Sequence, residues 1–169
     1  PLDEIIAGSY ESGRDPFILV LDHLSDVRNF GAIARTAECA GMNGIVIPDK
    51  GGVSISSDAV KTSAGALLSL PVARVSSLRE SVRFLKEAGL TVVAASEKSE
   101  TILFDAELGG PIAIILGAED KGVSQGLLEL VDYSVKIPLY GRIASLNVSV
   151  AASIMIYETI RQRLKTLAK

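Results

Sequence analysis

Polar side chains that could act together in catalysis follow three of the apolar runs in this sequence. They belong to Asn29 and Arg35 after the first run, Glu119 after the fifth, and Ser145 and Asn147 after the sixth. If the runs are parallel strands, their carboxyl ends meet at one edge of a sheet, where ligands bind in such folds. One cleft could then collect all five side chains, which form the candidate catalytic set.

The sequence gives little support to three familiar kinds of enzyme chemistry. The run GAEDKG at 117–122 has the glycine spacing of a phosphate-binding loop, but Val123 follows it where the motif requires Lys. No G-x-G-x-x-G follows the first apolar run, and Ser145 has no histidine near a plausible base position in the sequence. Phosphate hydrolysis, dinucleotide chemistry and serine hydrolysis are therefore the weaker interpretations.

Cysteine and histidine are too few for a metal site of these ligands or an internal disulfide. The chain contains one cysteine, Cys39, and one histidine, His23, whereas zinc sites combine several such ligands. We expect neither residue to be catalytic and no metal to be bound.

The composition is that of a single globular domain with a large aliphatic core. Of the 169 residues, 48% are hydrophobic and 22% are charged, and this length is enough to bury a core. The net charge of −3 argues against a free-standing, non-specific nucleic-acid binder, because such proteins depend on a positive field. No apolar run reaches the roughly 18 residues of a membrane helix, and no signal peptide opens the chain, so we expect a cytoplasmic protein.

Short apolar runs alternate with helix-like stretches along the chain. The runs, each predicted to be a strand, are 17–21, 45–47, 72–75, 90–95, 112–116 and 133–137. The predicted helical stretches are 29–40, 59–68, 78–88, 124–131 and one that starts at Ser145, and a polar lead-in is expected at 3–15. This alternation indicates an α/β fold with a mostly parallel six-stranded sheet flanked by helices.

The ends of two predicted helices carry specific expectations. Asn29 is predicted to cap the helix at 29–40, and Gly41 to end it in the left-handed conformation. The last helix starts among apolar residues such as Val148 and Val150, so we expect its first turn to be enclosed. Its free N–H groups would then need caps or a ligand, and a buried Asn147 without partners would cost roughly 1–3 kcal/mol.

Three stretches of the sequence carry a resemblance to a known family. NFGAIAR at 29–35, ILGAEDKGVS at 115–124 and IPLYGRIASLNVSVAA at 137–152 resemble, in order and spacing, the motifs of the SpoU branch of the SPOUT RNA 2′-O-ribose methyltransferases. The resemblance extends from about Phe17 to Arg163. The segment SSDAVKTSAGALLSLPVARV at 56–75 is most similar to the enzymes that methylate a guanosine in large-subunit ribosomal RNA.

The resemblance implies a fold, a cofactor and partners. In this family the C-terminal part of the sheet-and-helix fold is threaded as a trefoil knot, and the knot loops bind S-adenosylmethionine. Two subunits form a dimer beside the cofactor sites, and many members carry a small N-terminal RNA-binding domain. By resemblance, residues 17–169 are the catalytic domain, and residues 1–16 are a lead-in or a linker from such an N-terminal domain, which is missing here. The expected partners are RNA and a second copy of the chain.

The resemblance also implies roles for the candidate catalytic set. Arg35 would stabilise the ribose alkoxide or the adjoining phosphate, with the general base left open. From composition alone, Arg35 could also be a surface arginine that pairs with Glu38. The remaining members would orient the ribose or hold the RNA at the reaction centre: Asn29, Glu119, Ser145 and Asn147.

Further residues match binding positions of the family. The positions whose backbone contacts the cofactor are Gly117, Ile137 and Leu146, with Ser96, Leu116 and Leu139 as lesser candidates. Three basic residues in the same loops could hold RNA phosphates: Arg28, Lys121 and Arg142. A transfer-RNA methyltransferase and a thiopeptide-resistance ribosomal-RNA methyltransferase are the alternatives within the class, and a non-catalytic RNA-binding dimer is the alternative outside it.

Overall fold

A computed structural model describes residues 2–118 and 120–167 of the chain, in which six parallel strands form one sheet. The strands are β1 (Phe17–Asp22), β2 (Gly44–Pro48), β3 (Val72–Val75), β4 (Thr91–Ala95), β5 (Ile112–Gly117) and β6 (Tyr133–Val135). Their order across the sheet is β3-β2-β1-β5-β4-β6. The prediction of an α/β fold with a six-stranded sheet is confirmed, and every pairing in the sheet is parallel.

Helices cover both faces of this sheet. They are α1 (Leu2–Glu11), α2 (Val27–Cys39), α3 (Ser57–Thr62), α4 (Leu78–Glu87), α5 (Gln125–Leu128) and α6 (Val148–Leu167). Two short 3₁₀ turns occur at Ala66–Leu68 and Leu103–Asp105. No described helix has an apolar stretch of membrane-spanning length.

The strands at the centre of the sheet are buried on both faces. One face packs against α2 and α6 through residues such as Leu19, Phe30 and Met155. The other face packs against α1 and α4 through residues such as Val20 and Leu85. All of β1 is buried, which explains why this strand forms a continuous apolar run in the sequence instead of an alternating one.

The strand order reverses between β1 and β5. From β1 the chain adds β2 and β3 on one side, while β4 and β6 lie beyond β5 on the other. The two central strands pair from Phe17 opposite Ile112 to Asp22 opposite Gly117. Ligands of open α/β sheets bind outside the carboxyl ends at such a reversal, so the edge at Asp22 and Gly117 is where a site is expected.

The prediction of a polar lead-in at 3–15 is wrong, because α1 occupies most of this stretch. Its buried residues Leu2 and Ile6 pack on the α4 side of the sheet. Asp3 and Glu4 are exposed and lie in the first turn, where acidic side chains favour the positive end of the helix. The polar residues therefore mark the solvent side of an amphipathic helix.

The predicted start of α2 is also wrong. Asp26, not Asn29, is the N-cap, and its carboxylate accepts hydrogen bonds from the backbone N–H groups of Arg28 at 2.8 Å and Asn29 at 3.0 Å. Aspartate caps helices as well as asparagine does, so either residue satisfies the sequence rule. Gly41 follows the last turn at a φ of 71°, which confirms the predicted end of the helix.

Candidate functional site

The starts of α2 and α6 meet at the carboxyl edge of the sheet through two asparagines. The Asn147 side-chain Nδ2 donates a hydrogen bond to Asn29 Oδ1 at 3.2 Å. Asn147 Oδ1 accepts from the Ser149 backbone N–H at 2.9 Å and from the Ser149 hydroxyl. Both ends of the Asn147 amide are therefore engaged, and the orientation of the Asn147 side chain is determined by its neighbours.

This arrangement corrects the prediction that α6 starts at Ser145. The helix begins at Val148, and Asn147 acts as its cap through the bond to the Ser149 N–H. Ser145 lies in the exposed loop before the helix and makes no side-chain hydrogen bond with any described residue. The structure brings Asn29 and Asn147 together and leaves Ser145 out of that contact.

The predicted enclosure of the first turn of α6 is wrong for the single chain. Val148 and Ala152 are buried against the core, but Val150 is 47% exposed. In the preceding loop, Tyr140 is 93% and Ile143 is 82% exposed. Consecutive apolar residues point around the whole circumference of a helix, and only those on the sheet side are covered. This leaves an apolar surface beside the asparagine pair.

Arg35 lies on α2 about 9 Å along the helix axis from Asn29, at 1.5 Å per residue. Its exposed side chain lines an open cleft of about 400 Å³ that also contains Glu38 and Ser63. The Arg35 side chain makes no hydrogen bond or ion pair with a residue that the structure describes, including Glu38. Among the described residues, the guanidinium is therefore neither paired with Glu38 nor hydrogen-bonded to Asn29, and it is available to bind a ligand.

The loop after β5 folds back tightly on itself. A Cβ atom on Gly117 would lie 2.1 Å from the carbonyl carbon and oxygen of Gly122, so only glycine fits there. The Gly122 N–H donates to the Ala118 carbonyl oxygen at 2.6 Å, and Gly122 has a φ of 64°. Glu119, a member of the candidate catalytic set, lies outside the described residues.

The predicted cofactor positions lie at the carboxyl ends of three neighbouring strands, β5, β4 and β6, and in the loop before α6. Leu116 is buried, Gly117, Ser96, Ile137 and Leu146 are half-buried, and Leu139 is 40% exposed. The Ser96 hydroxyl accepts a hydrogen bond from the Lys98 N–H at 3.3 Å. The strand order therefore groups these residues along one edge.

The loop at 137–146 supplies unpaired peptide groups at this edge. No backbone N–H or C=O group of residues 137–146 is hydrogen-bonded to another described residue, although Ile137 and Leu146 are half-buried. Peptide groups in such positions need a partner. Apolar side chains beside free main-chain donors and acceptors fit a ligand with a flat apolar ring bordered by polar atoms, such as the adenine of S-adenosylmethionine.

The three basic residues assigned to RNA lie around the same edge. The side chains of Arg28, Lys121 and Arg142 are exposed and make no ion pair or hydrogen bond with the described residues.

His23 directly follows β1, with its Nε2 3.7 Å from Asp22 Oδ2. Within 2–118 and 120–167, no three His, Cys, Asp or Glu side chains cluster as metal ligands would.

Residues 16–157 match the model of the SpoU rRNA Methylase family. The chain belongs to this family. A crystal structure of the SpoU methyltransferase AviRb from Streptomyces viridochromogenes, in complex with the cofactor AdoMet, superposes with a TM-score of 0.82 at 30% identity. The match covers 89% of this chain and 62% of AviRb. The sequence resemblance to the SpoU family is thereby confirmed.

Curated relatives in the SpoU family carry more specific names. The 23S rRNA (guanosine-2′-O-)-methyltransferase RlmB of Shewanella oneidensis is 38% identical over 162 residues, which are 96% of this chain and 64% of that protein. The Photorhabdus laumondii enzyme of the same name is 37% identical over 148 residues, which are 88% of this chain and 61% of that protein. The chain thus spans less than two thirds of the length of these relatives.

Two polar features near the predicted site residues were not assigned a role from the sequence. Asp22 is buried at the end of β1, and a carboxylate directly after an apolar strand was a signal that could have found it. Ser153 on α6 contacts Thr36, the neighbour of Arg35, with their hydroxyl oxygens 3.3 Å apart. Nothing in the sequence pairs these two hydroxyls, because they are 117 positions apart.

Proposed function

We propose that this chain transfers a methyl group from S-adenosylmethionine to the ribose 2′-OH of a guanosine in large-subunit ribosomal RNA. The observation that carries the proposal is the Asn29–Asn147 hydrogen bond at the strand-order reversal, beside the peptide groups of residues 137–146, which have no partner among the described residues. The names of the Shewanella and Photorhabdus relatives supply the substrate class. A nucleic-acid substrate also suits the free arginines and lysine around the edge.

The proposed mechanism is an in-line displacement, in which the protein aligns the two reactants and stabilises the charge that develops between them. The bound cofactor supplies a sulfonium methyl group, which is already activated for transfer. Asn29 and Asn147 orient the ribose, and Ser145 and Glu119 complete the site from the neighbouring loops. Arg35 stabilises the negative charge that develops on the 2′-oxygen as it loses its proton, or the phosphate next to it.

The proposed cofactor pocket lies between the loop at 117–122 and the loop at 137–146. Gly117, Ile137 and Leu146 present their backbone groups to the adenine and ribose, and Leu116, Ser96 and Leu139 border the pocket. The RNA backbone is held at Arg28, Lys121 and Arg142. The chain has a net charge of −3, so these cations act locally and not through an overall positive field.

The exposed apolar surface beside the site supports a homodimer. Val150 of α6 and Tyr140 and Ile143 of the preceding loop are largely exposed in one chain, and a second copy would cover them.

In this proposal the C-terminal part of the chain forms the trefoil knot of the family. Residues 17–169 form the catalytic domain, Arg35 reaches the active site of the partner, and the protein works in the cytoplasm.

Mixing two impaired variants tests the dimer. If Arg35 serves the partner's site, Arg35→Ala and Asn147→Ala proteins should each lose most of their activity, and refolding them together should restore activity at one site per mixed dimer. Two variants that stay impaired on mixing, while sedimentation shows mixed dimers, would place Arg35 and Asn147 in the same subunit's site. A monomer in sedimentation would contradict the dimer itself.

Transfer of labelled methyl from S-adenosylmethionine tests the function. Unmodified large-subunit ribosomal RNA should accept label at one guanosine, and Arg35→Ala should abolish transfer without abolishing cofactor binding. A SpoU-type structure named as a transfer-RNA modifying enzyme of A. aeolicus is 26% identical with a TM-score of 0.80, so transfer RNA is the second candidate and is offered in parallel. A protein that binds RNA but gives no calorimetric signal with S-adenosylmethionine would be a non-catalytic RNA-binding dimer.

A further inference from the structure

Asp22 is a buried carboxylate at the point where the strand order reverses. It is the last residue of β1, it is 6% exposed, and it lies opposite Gly117, the last residue of β5. A buried charge is costly unless it is paired or hydrogen-bonded. The catalytic scheme above gives this carboxylate no role.

The Asp22 carboxylate holds the far end of the loop that follows β5. Its Oδ2 accepts a hydrogen bond from the Ser124 backbone N–H at 2.8 Å, across 102 positions of the chain. Ser124 is the N-cap of α5, and its own side chain makes no capping hydrogen bond. The near end of the same loop, at Gly117, pairs with Asp22 in the sheet. One residue therefore anchors both ends of the loop.

The described residues at the two ends of this loop lie in close contact. Gly117 approaches Gly122 so closely that a Cβ atom would lie 2.1 Å from its carbonyl carbon. The Gly122 N–H bonds back to the Ala118 carbonyl oxygen at 2.6 Å. Because the segment closes on itself at Gly117, a displacement at Ser124 passes directly to the backbone of Gly117.

We propose that Asp22 is a positioning residue, which holds Gly117 and the Gly122–Ser124 end of the following loop in the arrangement that accepts S-adenosylmethionine. The proposal rests on the proposed function, since Gly117 is one of the backbone positions assigned to the cofactor. Asp22 does not touch the cofactor in this scheme. Its effect on the cofactor runs through the Ser124 N–H and the folded-back loop.

Two variants remove the two halves of the same hydrogen bond. Asp22→Ala removes the acceptor. Ser124→Pro removes the donor at a residue whose φ of −62° and ψ of 148° suit proline. Each should weaken S-adenosylmethionine binding about tenfold or more in calorimetry, because the bond involves a charged group. The double variant should be no weaker than the worse single variant, because both changes break one interaction.

Asp22→Asn and Asp49→Ala are the matched controls. Asparagine keeps an acceptor oxygen and should bind the cofactor within about threefold of the wild type. Asp49 is an exposed aspartate directly after β2 on the same edge, and its removal should change nothing. Hydrogen exchange gives an independent readout, in which the Ser124 amide loses protection in Asp22→Ala and keeps it in both controls.

The outcomes separate this proposal from the proposed function. Wild-type protein that does not bind S-adenosylmethionine contradicts the proposed function, and unchanged exchange at Ser124 in Asp22→Ala then contradicts the anchor as well. Wild-type binding with unchanged affinity in Asp22→Ala and Ser124→Pro contradicts the inference alone. A lower melting temperature with unchanged affinity also overturns it, since that result belongs to a purely structural carboxylate. If Asp22→Ala does not fold, Ser124→Pro and Asp22→Asn decide the question.

Discussion

Asn147 Nδ2 lies 3.2 Å from Asn29 Oδ1, so one hydrogen bond joins the starts of α2 and α6 across 118 positions of the chain. The same Asn147 side chain caps α6 through the Ser149 N–H. A residue with both tasks couples the position of α6 to that of α2. Substitutions that separate the two tasks can therefore distinguish catalysis from folding.

We expect Asn147→Ala to lower the rate of methyl transfer by about 10²-fold, as the loss of one preorganised polar contact does in other enzymes. Removing the cap costs about 1 kcal/mol of unfolding free energy. Asn147→Ser keeps a capping oxygen but lacks the Nδ2 donor, so it should restore the melting temperature and not the rate. A Ser variant with wild-type rate would remove Asn147 from the reaction.

We expect Gly117→Ala to abolish cofactor binding measured by calorimetry. The added methyl group would lie 2.1 Å from the Gly122 carbonyl, so the loop after β5 must move. Gly109→Ala is the matched control, because a Cβ atom there meets nothing within 4 Å and Gly109 has no positive φ. Cofactor binding retained in Gly117→Ala would mean that this loop is not part of the pocket.

We expect Arg142→Ala to raise the KM for RNA and leave the turnover number and cofactor affinity unchanged. Each phosphate contact contributes roughly one unit to the slope of log affinity against log salt concentration, so this variant should lower the slope by about one. Arg83→Ala removes an exposed arginine, paired with Glu80, from α4, which lies on the other face of the sheet. An equal effect of both variants would indicate a non-specific charge effect.

We expect a pH-dependent contribution to stability from Glu158 on α6. Hydrogen bonds from Arg161, and then from Gln162, lower the pKa of this buried carboxyl below its usual 4.5, with burial acting in the opposite direction. A lowered pKa stabilises the fold fully above the unfolded-state value, and the contribution is lost as pH falls through the folded-state value.

Thermal unfolding of Glu158→Gln measures that contribution. The wild type should melt at a higher temperature than the variant at pH 6, and the gap should shrink as the pH falls below about 4.5. Glu80→Gln is the control, because Glu80 pairs with Arg83 on the exposed side of α4, where such pairs contribute little. A gap that is constant with pH would exclude an ionic origin.

The positions of the strands and the order of the motifs could be predicted from the amino-acid sequence. Buried parallel strands are apolar on both faces, so β1 and β5 form uninterrupted runs, and their ends mark where polar residues gather. The stretch at 137–152 was distinctive for the same reason, because Asn147 and Ser149 interrupt an apolar region. These features depend on local composition, which a sequence displays directly.

Only the tertiary structure decided which polar groups meet and which apolar residues are covered. Asn29 pairs with Asn147 and Asp22 with Ser124 because the strand order places β1 beside β5, and no local signal encodes contacts over a hundred positions. Asp26 and Asn29 satisfy the same capping rule, and only the structure shows that Asp26 is the N-cap of α2. The exposure of Val150 likewise depends on which side of α6 faces the sheet. The hydrophobicity of the residues at the start of α6 does not by itself show which side that is.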